Sequence, residues 1–183
     1  PTVRDLLDDG TRRLRSRHID QPGREAALLL RSLLGMSESA LLAHDHEPVD
    51  PGLMTRFDAW IERRAGGEPA AYLRGCREFW GREFLVDSRV LVPRPETEHL
   101  VEIALEQALP DNAIVLEAGT GSGCVAVTLA AERPNWRLVA TDYSLGALVV
   151  ARANAARHGA ASRVTLIATF LGAALDLSRY DLV

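Results

Sequence analysis

Apolar residues recur at helical spacing through the first third of the chain. Val3, Leu6, Leu7 and Leu14 share one face, and Thr2 followed by Asp5 resembles a capping box ahead of them. A second run from Pro22 to Leu34 puts Ala26, Leu29, Leu30 and Leu33 on one side and meets Gly35 as a stop. Asp50-Pro51 opens another helix, because proline at the first helical position gives up no needed hydrogen bond. Leu53, Phe57, Trp60 and Ile61 form its buried side, and Gly66-Gly67 ends it. Residues 1–74 are therefore expected to form a small all-α bundle. No catalytic constellation stands in it, so its expected use is to hold a partner.

Near Gly75 the period changes. Phe79-Trp80, Gly81-Arg82 and Phe84-Leu85-Val86 predict a β-hairpin, which Val90-Leu91-Val92 is expected to extend. Pro93 and Pro95 punctuate the segment, and Pro95-Glu96-Thr97-Glu98 starts a helix bearing Leu100, Val101, Ala104, Leu105 and Ala108. Residues 75–93 read as a hairpin linker and 94–183 as a second domain. Its pattern is strand 113–117, helix 122–132, strand 137–141, helix 145–158, strand 163–168. Such alternation predicts an α/β fold with a parallel sheet and right-handed crossovers. Ligands in such sheets lie at the carboxyl ends of the strands, where Glu117 and Asp142 both fall.

Between the first strand and helix stands Glu117-Ala-Gly-Thr-Gly-Ser-Gly123. Glycine has no Cβ, so Gly119, Gly121 and Gly123 can turn sharply and bring backbone N–H groups against a ligand at a helix start. Dinucleotide loops follow G-x-G-x-x-G, with the acidic ribose ligand further on. Here the spacing is G-x-G-x-G, with a carboxylate two residues before the first glycine. That is the arrangement of S-adenosylmethionine (SAM) sites, with a nicotinamide dinucleotide, or a glycine-rich turn that packs helix on strand and holds no ligand, as the alternatives. Asp142, ending Leu138-Val-Ala-Thr-Asp142, is placed to accept from both ribose hydroxyls; its plainer use is to cap the next helix.

Composition narrows the classes. At 183 residues and 47% hydrophobic, the chain can hold one ordinary domain or two small ones. No segment approaches the roughly 18 apolar residues of a membrane span, and none reads as a secretion signal, so a cytoplasmic protein with no membrane association is expected. Cys76 and Cys124 lack ligand or redox spacing, and the five histidines form no set, so no metal is expected. All 21 basic residues are arginine. Arg12, Arg13, Arg15 and Arg17 cluster, but Asp5, Asp8, Asp9 and Asp20 flank them and the net charge is −4. A solvated helix face is expected there, with no direct nucleic-acid contact.

Several segments together resemble one family, the HemK-type methyltransferases that modify the glutamine of peptide chain release factors. They are Gly67-Glu-Pro-Ala-Ala-Tyr72, Arg77-Glu-Phe-Trp-Gly81, Leu91-Val-Pro-Arg-Pro-Glu-Thr-Glu98, the glycine loop, and Ala151-Arg-Ala-Asn-Ala-Ala-Arg-His-Gly159. The resemblance implies a class I, Rossmann-like SAM-dependent domain, C-terminally incomplete in residues 94–183. It also implies methyl transfer to the side-chain nitrogen of the glutamine in a Gly-Gly-Gln motif, with S-adenosylhomocysteine as product. By position, Glu117, Gly119, Thr120, Gly121, Ser122 and Gly123 would wrap the methionine and ribose end of SAM. Asp142 would bind the ribose and Phe170 would lie against the adenine. Arg94, Pro95, Glu96 and Thr97 would line the approach to the methyl group, and the helical domain would hold the release factor.

The chain departs from that pattern in three places. Glu117 stands for the usual aspartate, a longer carboxylate able to do the same work. Thr169 stands where an aspartate commonly accepts from the adenine amine, which is expected to weaken cofactor affinity. The family's catalytic Asn-Pro-Pro-Tyr motif follows a fourth strand, and this sequence ends at Tyr180-Asp-Leu-Val183. No catalytic residue is therefore expected within the 183 residues, and the chain alone is expected not to methylate. An open sheet edge is expected as well, able to support self-association. Other readings are a ribosomal-protein glutamine methyltransferase, a non-catalytic SAM-binding or interaction module, and an NAD oxidoreductase.

Overall fold

Thr2 begins the first helix as its spacing predicts: its hydroxyl accepts from the Asp5 N–H, and the Asp5 carboxylate accepts from the Thr2 N–H at 2.8 Å. The computed structural model describes residues 1–170 and 175–183, which divide into two units, Pro1–Arg74 and Gly75–Val183. The first unit is all helical. Helices α1 (Val3–Ser16), α2 (Pro22–Leu34) and α4 (Pro51–Ala65) carry its core, with two short helices, α3 (Glu38–Ala43) and α5 (Ala70–Arg74), between and after them. Leu14, Leu29, Leu30 and Ile61 are fully enclosed. Gly10 lets α1 approach α4: a methyl group there would stand 3.0 Å from Phe57 Cζ. In the arginine cluster, Arg13 pairs with Asp58 at 2.9 Å and Glu62 at 2.7 Å, and Arg12 pairs with Asp9.

The second unit opens with an antiparallel hairpin, β1 (Cys76–Phe79) against β2 (Arg82–Leu85), in register Cys76↔Leu85. Trp80 and Gly81 make the turn with φ of 52° and 65°, the left-handed pair that a tight hairpin needs. The Trp80 N–H donates to the Glu98 carboxylate at 2.8 Å, pinning this turn to the start of α6 (Glu98–Glu106).

Val90-Leu91-Val92 does not extend the hairpin. Asp87 accepts from the Arg89 N–H at 3.0 Å and holds the Arg89 guanidinium at 2.9 and 2.6 Å. That local turn competes with strand pairing and wins. Residues 75–85 also belong with the second unit rather than standing apart as a connector, because Asn154 bonds the backbone of Leu85.

The α/β part follows the alternation: β3 (Ile114–Ala118), α7 (Cys124–Glu132), β4 (Arg137–Asp142), α8 (Leu145–Arg157) and β5 (Val164–Ala168). The three strands are parallel in the order β3-β4-β5. On the other side of β3, Leu182 forms a parallel bridge to Val115. The Leu116 N–H donates to the Leu182 carbonyl at 2.9 Å, and the Asp181 N–H to the Ile114 carbonyl at 2.8 Å. Strand order thus reverses at β3, the topological switch point where open α/β sheets hold their ligands. Helix α7 is buried from Cys124 to Ala130, which is why its sequence is apolar on every side. No helix among the described residues is long and apolar enough to cross a membrane.

Candidate cofactor site

The glycine loop runs from the end of β3 into α7, and the end of β4 lies beside it. The N–H groups of Gly119 and Thr120 both donate to the Thr141 carbonyl at 2.8 Å, and the Thr141 hydroxyl donates to the Glu117 carbonyl at 3.1 Å. The loop is thereby laid across the carboxyl ends of two strands. Gly119, Gly121 and Gly123 have φ of 76°, 55° and 79°. Their roles differ. A methyl group at Gly123 would stand 3.0 Å from Ala151 Cβ, so this glycine is demanded by packing of the loop on α8. Methyl groups at Gly119 or Gly121 would meet nothing within 4 Å, so these two leave a bare backbone wall facing open space. Such a wall is what a ligand that touches backbone requires.

Two carboxylates frame the loop. Asp142 is buried at the end of β4; its Oδ2 accepts from the Gly121 N–H and its Oδ1 from the Ser144 N–H, both at 2.9 Å. A carboxylate offers about four acceptor positions, so two remain. The N-cap of α8 is Ser144, whose hydroxyl accepts from the Ala147 N–H at 3.2 Å. Capping is therefore carried by the serine, which leaves Asp142 aimed at the glycine loop.

Glu117 Oε2 accepts from the Thr120 hydroxyl at 2.7 Å and from the Ala126 N–H at 3.1 Å. Ala126 lies in the first turn of α7, whose N-cap, Gly123, has no side chain to offer. Glu117 thus caps α7 from a distance and ties down Thr120 in the same stroke. Its second oxygen takes no partner among these bonds. Burial pushes the Glu117 carboxyl up to about 7; the bonds from Thr120 and Ala126 pull it down, and the neighbouring Asp142 charge pushes it further up. Burial likewise pushes the Cys124 thiol up to about 12, opposed by its bond with Ser122, which removes it as a nucleophile at neutral pH.

The remaining expected site residues divide. Thr120 and Ser122 are buried within the loop, as structural members. Phe170 is 69% exposed just past β5. The Thr169 N–H donates to the Asp142 carbonyl at 3.0 Å, so Phe170 follows directly on a link between the ends of β4 and β5. Arg94, Pro95 and Glu96 are exposed and Thr97 half-buried at the turn before α6. Among the described residues, no hydrogen bond joins that turn to the glycine loop.

Two residues of this region were not legible as site members. Tyr143 follows Asp142 and is 79% exposed, an aromatic left in solvent at a strand end. The signal for it was its place after the acidic residue. Asn154 is fully buried; its amide donates to the Ser122 carbonyl at 2.8 Å and pairs with the backbone of Leu85. A lone polar residue in an alanine-rich helix was its only mark. Among the described residues, no group of three or more His, Cys, Asp or Glu could hold a metal ion.

Known proteins resemble both units. The PrmC N-terminal domain matches residues 5–75, and the Methyltransferase small domain matches residues 97–183. A release factor glutamine methyltransferase from Nitratidesulfovibrio vulgaris is 41% identical over 166 residues, covering 91% of this chain and 56% of the relative. One from Geobacter sulfurreducens is 38% identical over 182 residues, covering 100% of this chain and 63% of the relative. The chain belongs to the release factor glutamine methyltransferase family. Membership in this family gives the second unit its class, an α/β methyltransferase domain built on the sheet described above. The chain spans a little over half the length of the family members it matches. Among solved structures, an RNA methyltransferase from Salinibacter ruber with S-adenosyl-L-homocysteine aligns at 23% identity and a TM-score of 0.42. It covers 50% of this chain and 56% of that one, too loose a likeness to carry an argument.

Proposed function

We propose that the protein containing this chain transfers a methyl group from SAM to the side-chain nitrogen of a glutamine in a peptide chain release factor. The observation that carries the cofactor half is the loop: two glycines present bare backbone to open space, and the two carboxylates Glu117 and Asp142 stand beside them. The loop fits SAM in shape and charge. A ligand carrying an ammonium and a sulfonium relieves the repulsion of two neighbouring carboxylates, which a pyrophosphate would worsen. SAM supplies an electrophilic methyl on positively charged sulfur. Asp142 would accept from the ribose hydroxyls through its free lone pairs, and the free oxygen of Glu117 would accept from the ammonium. Tyr143 and Phe170, exposed past adjacent strands, offer aromatic surfaces to the adenine.

The release-factor half is supported by the relatives, which carry that name across both units. The helical unit has no catalytic constellation and matches its own domain family, which suits it to hold the protein substrate. The segment Arg94–Thr97 is proposed to line the approach of the glutamine to the methyl group.

Calorimetric titration of the 183-residue chain with SAM tests the cofactor claim. Asp142→Ala removes charge-assisted bonds of about 1.5–3 kcal/mol each, so binding is expected to weaken at least tenfold. Equal binding by parent and variant would sink the assignment. The substrate claim is tested with the protein containing this chain and a release factor bearing Gly-Gly-Gln. Absence of methyl transfer there, with SAM binding intact, would refute it.

A further inference from the structure

The sheet has a second concave feature at its opposite end. A cleft of about 610 Å³ opens where the chain enters the strands, and among its lining residues are Asn112, Asn135, Trp136, Arg137, Ser162 and Arg163. They come from the loops before β3, β4 and β5 and from Arg137, the first residue of β4. Strand β3 carries five residues from this edge to the glycine loop, about 15 Å of extended chain, so the cleft is separate from the candidate cofactor site.

Its charges are arranged against themselves. Leu138 pairs with Val164 in the parallel register, so Arg137 and Arg163, one residue earlier on each strand, stand side by side. The Leu138 N–H donates to the Arg163 carbonyl at 2.8 Å, which fixes the juxtaposition. Like charges on neighbouring strands repel. Neither arginine has a carboxylate partner among the described residues, as is also true of exposed arginines such as Arg15, Arg17 and Arg152. The Arg163 Nε is buried and has no acceptor, while its other bond goes to the Ala130 carbonyl at 3.2 Å. A buried donor without an acceptor is uncommon and calls for a partner. Among the described residues, Asp181 reaches this edge with its Oδ2 taken by the Ile114 N–H at 2.7 Å, and Asp111 stands in the loop before β3.

We propose that this cleft binds a phosphate group, free or carried by a small nucleotide. Arg137 and Arg163, neighbours in the strand register and both lining the cleft, offer fork-shaped guanidinium donors to a dianion. Asn112, Asn135 and Ser162 add neutral donors at the rim, and the cleft volume suits a ligand of nucleotide size. Trp136 is buried and carries Arg133 over its ring at 5.8 Å, so it serves as the floor of the cleft rather than as a stacking surface. The site would lie outside the methyl-transfer reaction.

The test is titration of the full 183-residue chain with inorganic phosphate and, separately, with AMP. Binding is expected in the parent and at least tenfold weaker in Arg137→Gln and in Arg163→Gln, with Arg163→Lys between parent and Gln. Arg137 is exposed, so its variant leaves the core untouched, and an unchanged thermal midpoint checks this. Tighter binding of AMP than of phosphate identifies a nucleotide as the occupant, and equal binding identifies the phosphate group alone. If neither titrant binds the parent, or if Arg137→Gln binds both as the parent does, the proposal fails. Failure of SAM to bind would bear only on the function proposed above.

Discussion

Asn154 pairs with Leu85 as a neighbouring strand would, accepting from its N–H at 2.7 Å and donating to its carbonyl at 2.9 Å. The same amide nitrogen donates to the Ser122 carbonyl at 2.8 Å. One buried side chain therefore joins the hairpin to the glycine loop. Asn154→Ala strands three backbone groups, at about 1 kcal/mol or more each, so a loss of about 3 kcal/mol is expected in urea unfolding. Asn154→Asp keeps an acceptor but loses both donated bonds and buries a charge, and should do no better. A loss below about 1 kcal/mol in both variants would show that the clamp is dispensable.

Two glycines of one loop are expected to fail in opposite ways. Gly123→Ala combines a left-handed backbone with a methyl group 3.0 Å from Ala151 Cβ, so its main effect is a stability loss of about 2–4 kcal/mol. Gly121→Ala has the same backbone strain of about 1–2 kcal/mol but meets no protein atom. Its methyl group instead projects into the open side of the loop, so SAM affinity is expected to fall more than stability does. Paired melts and titrations check this; equal stability losses in the two variants would contradict it.

In the helical unit, Gly10→Ala sets helix propensity against packing. Alanine favours the helix by about 1 kcal/mol. Its methyl group, however, would press on Phe57 Cζ at 3.0 Å and Ile61 Cδ1 at 3.1 Å, both enclosed, at about 1–3 kcal/mol. Net destabilisation of about 1 kcal/mol is expected. Phe57→Leu in the same chain removes the opposing ring atom, so the double variant should be more stable than the sum of the singles. Strict additivity would place the strain elsewhere.

The parts of the fold legible in sequence are those where one local rule speaks alone. Gly35 and Asp50-Pro51 mark helix ends because the backbone conformation at each has few tenants. The three parallel strands show because apolar runs alternate with helices. Val90–Val92 misled because β-branched residues favour a strand, yet Asp87, three residues before Val90, offers a tighter local bond to Arg89. The candidate site stood out in sequence through its glycines and acids, which differ chemically from their neighbours. Its supports did not. The Glu117 bond to Ala126 spans nine residues and the Asn154 bond to Leu85 spans 69, and no local pattern encodes either.

Glu117 makes the site sensitive to pH, in two opposed directions. Its carboxyl titrates at about 7 in the folded chain, against an ordinary value of 4.5. An acid so raised binds its proton more tightly folded than unfolded. Its contribution to stability is therefore complete below about pH 4.5 and is lost as pH rises through about 7. Glu117→Gln keeps an acceptor for Thr120 and Ala126 but cannot titrate. The parent is expected to lose about 1–3 kcal/mol relative to the variant between about pH 5 and 8, measured by urea unfolding. An ammonium-bearing ligand reverses the sense, because it favours the ionised form. SAM affinity of the parent, relative to Glu117→Gln, should rise across the same interval. Parallel curves for parent and variant in both measurements would mean that Glu117 is already ionised throughout, and that its burial in the loop imposes no proton on it.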